Sequence, residues 1–150
     1  MGASGWDYHV EYQPDLGKAL RELRARVFAE GDYWWAEPCE FGKSAMDFPN
    51  RPRTEEELWS SELVRESGTH SILDMHEMVR PGENPGYCTV EPVTEAEALR
   101  SAGVGLAGLT RAHVDRIEGL AERRWFGRCA VLHDDAGRPA EIYFWGASGD

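Results

Sequence analysis

The densest group of residues able to do chemistry is Thr69-His70-Ser71-Ile72-Leu73-Asp74-Met75-His76-Glu77. On an extended strand, His70, Ile72, Asp74 and His76 fall on one face, with alternate positions about 6.5–7 Å apart. Two imidazoles and a carboxylate sharing a face are the donor types of a facial-triad metal site. The same residues make an acid–base pair in which Asp74 orients one histidine. On a helix the grouping changes, because His70 and Asp74 become neighbours while His76 turns away. Short clusters of these residue types are also common by chance. An architectural reading therefore stands beside the catalytic one: His70 closes the preceding helix, and the other side chains are hydrogen-bonded or solvated.

Other chemical signals are sparse. Cys39, Cys88 and Cys129 are widely spaced and odd in number, with neither CxxC pairs nor metal-ligand spacing. Cys39 lies between Glu37 and Glu40, and nearby carboxylates disfavour a thiolate nucleophile. Cys88 and Cys129 fall in strand-like contexts and read as small buried hydrophobes. The Gly103-Val104-Gly105-Leu106-Ala107-Gly108 run follows a helical pattern and precedes no lysine. It lacks the context of a phosphate- or dinucleotide-binding loop and reads as a linker. No metal is assigned beyond the His70, Asp74, His76 candidates, and no cofactor is expected.

The strongest binding signal lies between Gly31 and Arg53. This stretch has no helical or strand period yet carries Tyr33, Trp34, Trp35, Phe41, Met46 and Phe48. Irregular connections longer than about 12–15 residues are uncommon in a compact domain and tend to be functional or disordered. Disordered segments are poor in aromatics, so residues 31–53 are expected to form an ordered loop walling a cleft. Trp34 and Trp35 are adjacent, so an extended backbone sends one inward and one outward. An outward tryptophan is a natural anchor for a partner, since interface hot spots are rich in Trp, Tyr and Arg. Tyr33, Trp34, Trp35, Phe41, Phe48 and Arg51 are the binding candidates, with Lys43, Arg51 and Arg53 adding local positive charge.

The chain as a whole is acidic, with 27 Asp and Glu against 16 Lys and Arg and a formal net charge of −11. Such a surface repels phosphate backbones and anionic membranes, which argues against nucleic-acid and membrane partners. It suits a basic protein, a cationic peptide or a metal ion, and net charge also serves solubility alone. The opening MGASGWDYHVEY has no basic region followed by an apolar run. A signal peptide is therefore not expected, and reduced thiols suit a cytoplasmic protein.

The elements that must position these residues follow from periodicity. Trp6, Tyr8, Val10 and Tyr12 alternate with polar residues and predict a half-buried strand over 6–12. Asp15 caps a helix with Leu16, Leu20, Leu23 and Val27 on one stripe, closed by Gly31. Thr54 and Glu57 form a capping-box pattern opening a second helix that runs to Ser67-Gly68, and Thr94 with Glu97 repeats it. A further helix is expected from Thr110 through Val114, Ile117 and Leu120 to near Arg124. Residues 128–133 and 141–145 flank Asp134-Asp135-Ala136-Gly137 as a hairpin. Its first strand is apolar on both faces and therefore central. Residues 70–79 are open to strand or helix, and 87–90 suit a short strand.

The expected architecture is one α+β domain over residues 1–150. Its mixed or antiparallel sheet has about four strands, with three to four helices mainly on one face and both termini in the sheet. The expected function is a small acidic binding or regulatory module for a protein partner, with an immunity- or antitoxin-like neutraliser of a basic effector as one form. The alternative is a small enzyme or ligand-binding protein using His70, Asp74 and His76 beside an aromatic-walled pocket. A homodimer that completes the fold is the third option.

Overall fold

The computed structural model describes residues 5–37 and 42–149. The chain is α+β. Its main sheet has five strands in the order β1-β7-β6-β5-β4: β1 (Gly5–Glu11), β4 (Glu77–Met78), β5 (Thr89–Pro92), β6 (Phe126–His133) and β7 (Pro139–Ala147). β1, β7 and β6 are antiparallel neighbours, while β5 and β4 add on parallel to β6. The first strand pairs with the last, with Tyr8 opposite Phe144, so both ends of the chain meet in one sheet as expected. No helix among the described residues is long and apolar enough to cross a membrane.

β6 is the middle strand and buries both faces. Cys129 belongs to one apolar cluster with Ile142 and Phe144 of β7, while Ala130 and Leu132 belong to another with Tyr143 and Trp145. Three helices serve the first cluster: α1 (Leu16–Glu30), α2 (Glu55–Ser60) and α3 (Glu62–Ser67). α4 (Glu95–Ala102) and α5 (Val114–Ile117) cover the second, so the sheet is clothed on both sides.

Local chemistry sets the helix ends. Asp15 accepts a hydrogen bond from Lys18 N–H and opens α1. Thr94 and Glu97 close a full capping box on α4. At α2, Thr54 Oγ1 accepts from Glu57 N–H, but the Glu57 carboxylate reaches one residue further and accepts from Arg53 N–H. The helix expected over 54–67 breaks at Ser61, which is extended and ends α2 as it opens α3. Ser60 Oγ donates to Glu57 C=O, and Arg65 donates to the Trp59 and Ser60 carbonyls that the break exposes. The last expected helix is irregular, passing from a 3-10 turn through α5 to another 3-10 turn that ends at Leu120. Residues 31–53 are not wholly irregular, because β2 (Trp34–Trp35) and β3 (Lys43–Ser44) pair as a small antiparallel ribbon followed by a 3-10 turn.

Candidate functional site

Gly31 hands α1 over to the aromatic segment. Its φ of 68° lets Gly31 and Asp32 N–H donate back to Phe28 and Val27 carbonyls. The turn drops Tyr33 onto Phe28, the rings parallel with centroids 5.9 Å apart. Phe48 is held edge-on by Trp35 at 5.0 Å, with the Lys43 ammonium 4.8 Å from its ring centre. Tyr33 and Phe48 are only 4% and 3% exposed. Their expected role as partner-contacting rings is thus corrected: they are the floor under the surface. Cys39 and Phe41 lie outside the described residues.

Trp34 and Trp35 diverge as neighbours on an extended strand must. Trp35 packs on the core below. Trp34 lies over Gly42, where any Cβ would fall 1.9 Å from the indole, and meets the His70 ring. Both are half-buried.

A groove of about 440 Å³ runs between the end of α1 and residues 46–53, bounded by Phe28, Met46, Pro49, Arg51, Pro52 and Arg53. Met46 at its rim is 62% exposed, one of three large exposed hydrophobics among the described residues. Arg51 is half-buried, its guanidinium close enough to Gly31 that a Cβ there would stand 3.0 Å from Nη1. Met46 and Arg53 are absent from the binding residues expected from sequence. Their signal is weak, because Met46 reads as one more apolar loop residue until it is seen lining one groove with Phe28.

The His70–His76 segment takes a different shape from either expectation. Residues Ile72–Asp74 form a 3-10 turn, so no strand face gathers His70, Asp74 and His76. His76 is exposed against Trp59, ring centroids 5.0 Å apart. Among the described residues no group of three His, Cys, Asp or Glu side chains is placed to hold a metal, and the facial-triad arrangement is corrected accordingly. The helix end is closed by Gly68, not His70.

Asp74 is fully buried, and both its oxygens accept hydrogen bonds. Oδ1 accepts from Thr69 N–H at 2.7 Å and Thr69 Oγ1 at 2.8 Å, and Oδ2 accepts from Ser148 Oγ. Since the Thr69 hydroxyl proton is committed to Asp74, Ser71 Oγ must donate to Thr69 Oγ1 while accepting from Leu73 N–H. Burial pushes the Asp74 carboxyl above its ordinary range, against the downward pull of Ser148 and Thr69.

Around this carboxylate stand the three non-glycine residues with left-handed backbone among the described residues: His70 (φ 52°), Cys88 (φ 62°) and Trp125 (φ 68°). Cys88 N–H donates to Trp125 C=O, and His76 N–H donates to Cys88 C=O, which ties Cys88 to Trp125 and to His76. Any Cβ on Gly68 would meet both Trp125 and Asp74 within 2.8 Å. His70 Nδ1 is buried without a hydrogen-bond partner among the described residues. Burial holds the Cys88 thiol up at about 11, so little of it is thiolate at neutral pH.

The chain matches no protein-family model, and no curated protein or solved structure is significantly similar to it.

Proposed function

We propose that this protein is a binding module that engages a protein partner through the groove at Met46, Arg51 and Arg53. The observation that carries the reading is Met46, an exposed thioether standing over a groove framed by prolines and arginines. Methionine adapts its shape to an apolar partner, arginine forks onto carboxylates, and a proline-stiffened wall loses little freedom on binding. The occupant this chemistry suits is an extended segment carrying an apolar side chain beside a carboxylate. The net charge of −11 favours a partner that is basic over the rest of its surface. Neutralisation of a basic effector, in the manner of an immunity protein or antitoxin, is the specific form of this reading.

The test is affinity capture from the source cells with wild-type, Met46→Asp and Arg51→Glu proteins, followed by measured dissociation constants for the recovered pair. One stoichiometric polypeptide is expected, bound at least about tenfold more weakly by each variant with thermal midpoints unchanged. Equal binding by all three proteins refutes the groove.

The competing enzyme or ligand-site reading has one observation of its own: strained backbone gathers at His70, Cys88 and Trp125 around Asp74, and such strain collects at functional sites. Against it, both Asp74 oxygens are already engaged by Thr69 and Ser148. A ligand whose binding is abolished by His70→Ala, with the fold intact, would move the weight to that reading.

A further inference from the structure

β1 is an edge strand, and its free side has a defined polarity. Tyr12 N–H donates to Ala140 C=O, and the β1–β7 register places Val10 opposite Ile142, Tyr8 opposite Phe144 and Trp6 opposite Gly146. Backbone groups alternate sides along a strand, so these even-numbered residues bond to β7. Gly5, Asp7, His9 and Glu11 then direct their N–H and C=O groups outward. Among the described residues no strand pairs with that side. α1 does not seal it either, since a cleft of about 410 Å³ opens between Val10–Gln13 and the Lys18, Glu22 and Arg26 side of α1. A seven-residue open edge is a template for another strand.

We infer that this edge pairs antiparallel with the β1 edge of a second copy, the two-fold axis passing through Tyr8. The charges select both the occupant and the register. With Tyr8 opposite Tyr8, Asp7 faces His9 of the second copy and His9 faces Asp7, while Gly5 lies opposite Glu11. Sliding by two residues one way sets Asp7 against Asp7; sliding the other way sets Asp7 against Glu11 and His9 against His9. Like charges directly opposite destabilise a sheet and opposite charges stabilise it. A shift by one breaks the outward-to-outward hydrogen bonding. Among registers that pair at least five of the seven residues of β1, this one alone meets the outward hydrogen bonding without setting one carboxylate against another. It also sets Trp6 opposite Val10 on the α1 side, extending the apolar layer across the junction. Glu141, which contacts His9 Nδ1 at 3.1 Å, is itself gripped by Arg111 through both carboxylate oxygens. His9 Nδ1 is thus taken by Glu141, and Nε2 is the ring nitrogen that faces Asp7 of the second copy. At physiological ionic strength the Debye length is about 8 Å, which screens the mutual repulsion of two chains of charge −11.

The experiment is light scattering and sedimentation of the full chain in about 0.15 M salt, on wild type, Asp7→Lys and His9→Glu. Wild type is expected to be a dimer. His9→Glu sets a carboxylate against Asp7 at two positions, and Asp7→Lys removes the carboxylate that faces His9 at both; each should weaken the dimer about tenfold or more. An equimolar mixture of the two should recover the dimer. In the mixed pair the introduced lysine of one chain faces the introduced glutamate of the other, and the native His9 of the first faces the native Asp7 of the second. Amide hydrogen exchange on wild type gives a reading that needs no variant to fold: Asp7, His9 and Glu11 amides are protected in the dimer and exchange freely in a monomer, while Tyr8 and Val10 are protected in both. A monomeric wild type with fast Asp7, His9 and Glu11 amides overturns the inference. So does a dimer indifferent to both substitutions, or a mixture that stays monomeric.

Discussion

The indole of Trp34 stands edge-on to the imidazole of His70, the ring centroids 5.3 Å apart and the planes inclined by 76°. Trp34 N–H also donates to Thr69 C=O at 2.8 Å. The aromatic segment and the turn around Asp74 are therefore one unit, joined through ring and backbone at adjacent residues. A disturbance at the aromatic ribbon is transmitted to the residue whose backbone is left-handed beside the buried carboxylate.

Gly42→Ala tests that junction. The added methyl would fall inside the Trp34 ring, so the indole must leave His70. Overpacking of this kind costs typically about 1–3 kcal/mol. The expected result is a lowered thermal midpoint with a shifted tryptophan emission, and unchanged values would mean that the ribbon moves independently of the His70 turn.

Ser148→Ala removes the hydrogen bond that reaches Asp74 Oδ2 from beyond the end of β7. Leaving a buried carboxylate oxygen unsatisfied costs on the order of 1–3 kcal/mol. Denaturant unfolding should show that loss, with Thr69→Val showing a comparable or larger one because the Thr69 hydroxyl bonds both Asp74 and Ser71.

Acid stability should be set by two carboxyls of opposite sign. Arg128, 7% exposed, grips both oxygens of Glu97, and those hydrogen bonds hold the Glu97 pKa down at about 2 from 4.5. Its contribution is complete above about 4.5 and is lost as pH falls towards 2. Asp74 runs the other way: burial raises its pKa above 3.8, so folding favours its protonated form and its ionisation erodes stability as pH rises through that range. Glu97→Gln should lower the unfolding free energy at about pH 7 and leave it close to wild type near about pH 2. A constant difference across that window would assign the Glu97 effect to packing.

Labelling of the Cys88 and Cys129 thiols should be slow in the native state. Burial holds Cys88 at about 11 and Cys129 at about 12, so neither presents appreciable thiolate at neutral pH. Alkylation of both is expected to run at least about a hundredfold slower than for a free thiol, and Cys129 should react only on unfolding. Rapid native modification of Cys88 would show a more open site beside Trp125.

Features decided within a few residues were legible in the sequence. The Asp15 and Thr94 caps, the Gly31 stop, the Gly137 turn and the alternation of β1 all depend on near neighbours, and the structure has each where the pattern puts it. The two-sided apolar pattern of β6 pointed to its central position for the same reason. Features decided by distant partners were not legible. The 3-10 turn at Ile72–Asp74 exists because Asp74 bonds Thr69 and reaches Ser148, a residue 74 positions away. The break at Ser61 is an exception, a local feature that the capping pattern did not show, held by Arg65 reaching back to two nearby carbonyls. The groove needs Met46 beside Phe28, and the burial of Tyr33 and Phe48 needs the α1 end as a lid, so ring type alone could not tell floor from surface.

The pairing of β1 with β7 has a consequence for how the chain is made. Glu11 finds its partner only at Glu141, so a nascent chain leaving the ribosome carries its first strand unmatched until β7 has been synthesised. Domains rich in such distant pairings fold slowly and expose apolar edges meanwhile. The Trp6, Tyr8, Val10 stripe, together with the α1 face waiting to cover it, is the surface that a holdase would have to shield during that interval. Truncation within β7 would leave it permanently open.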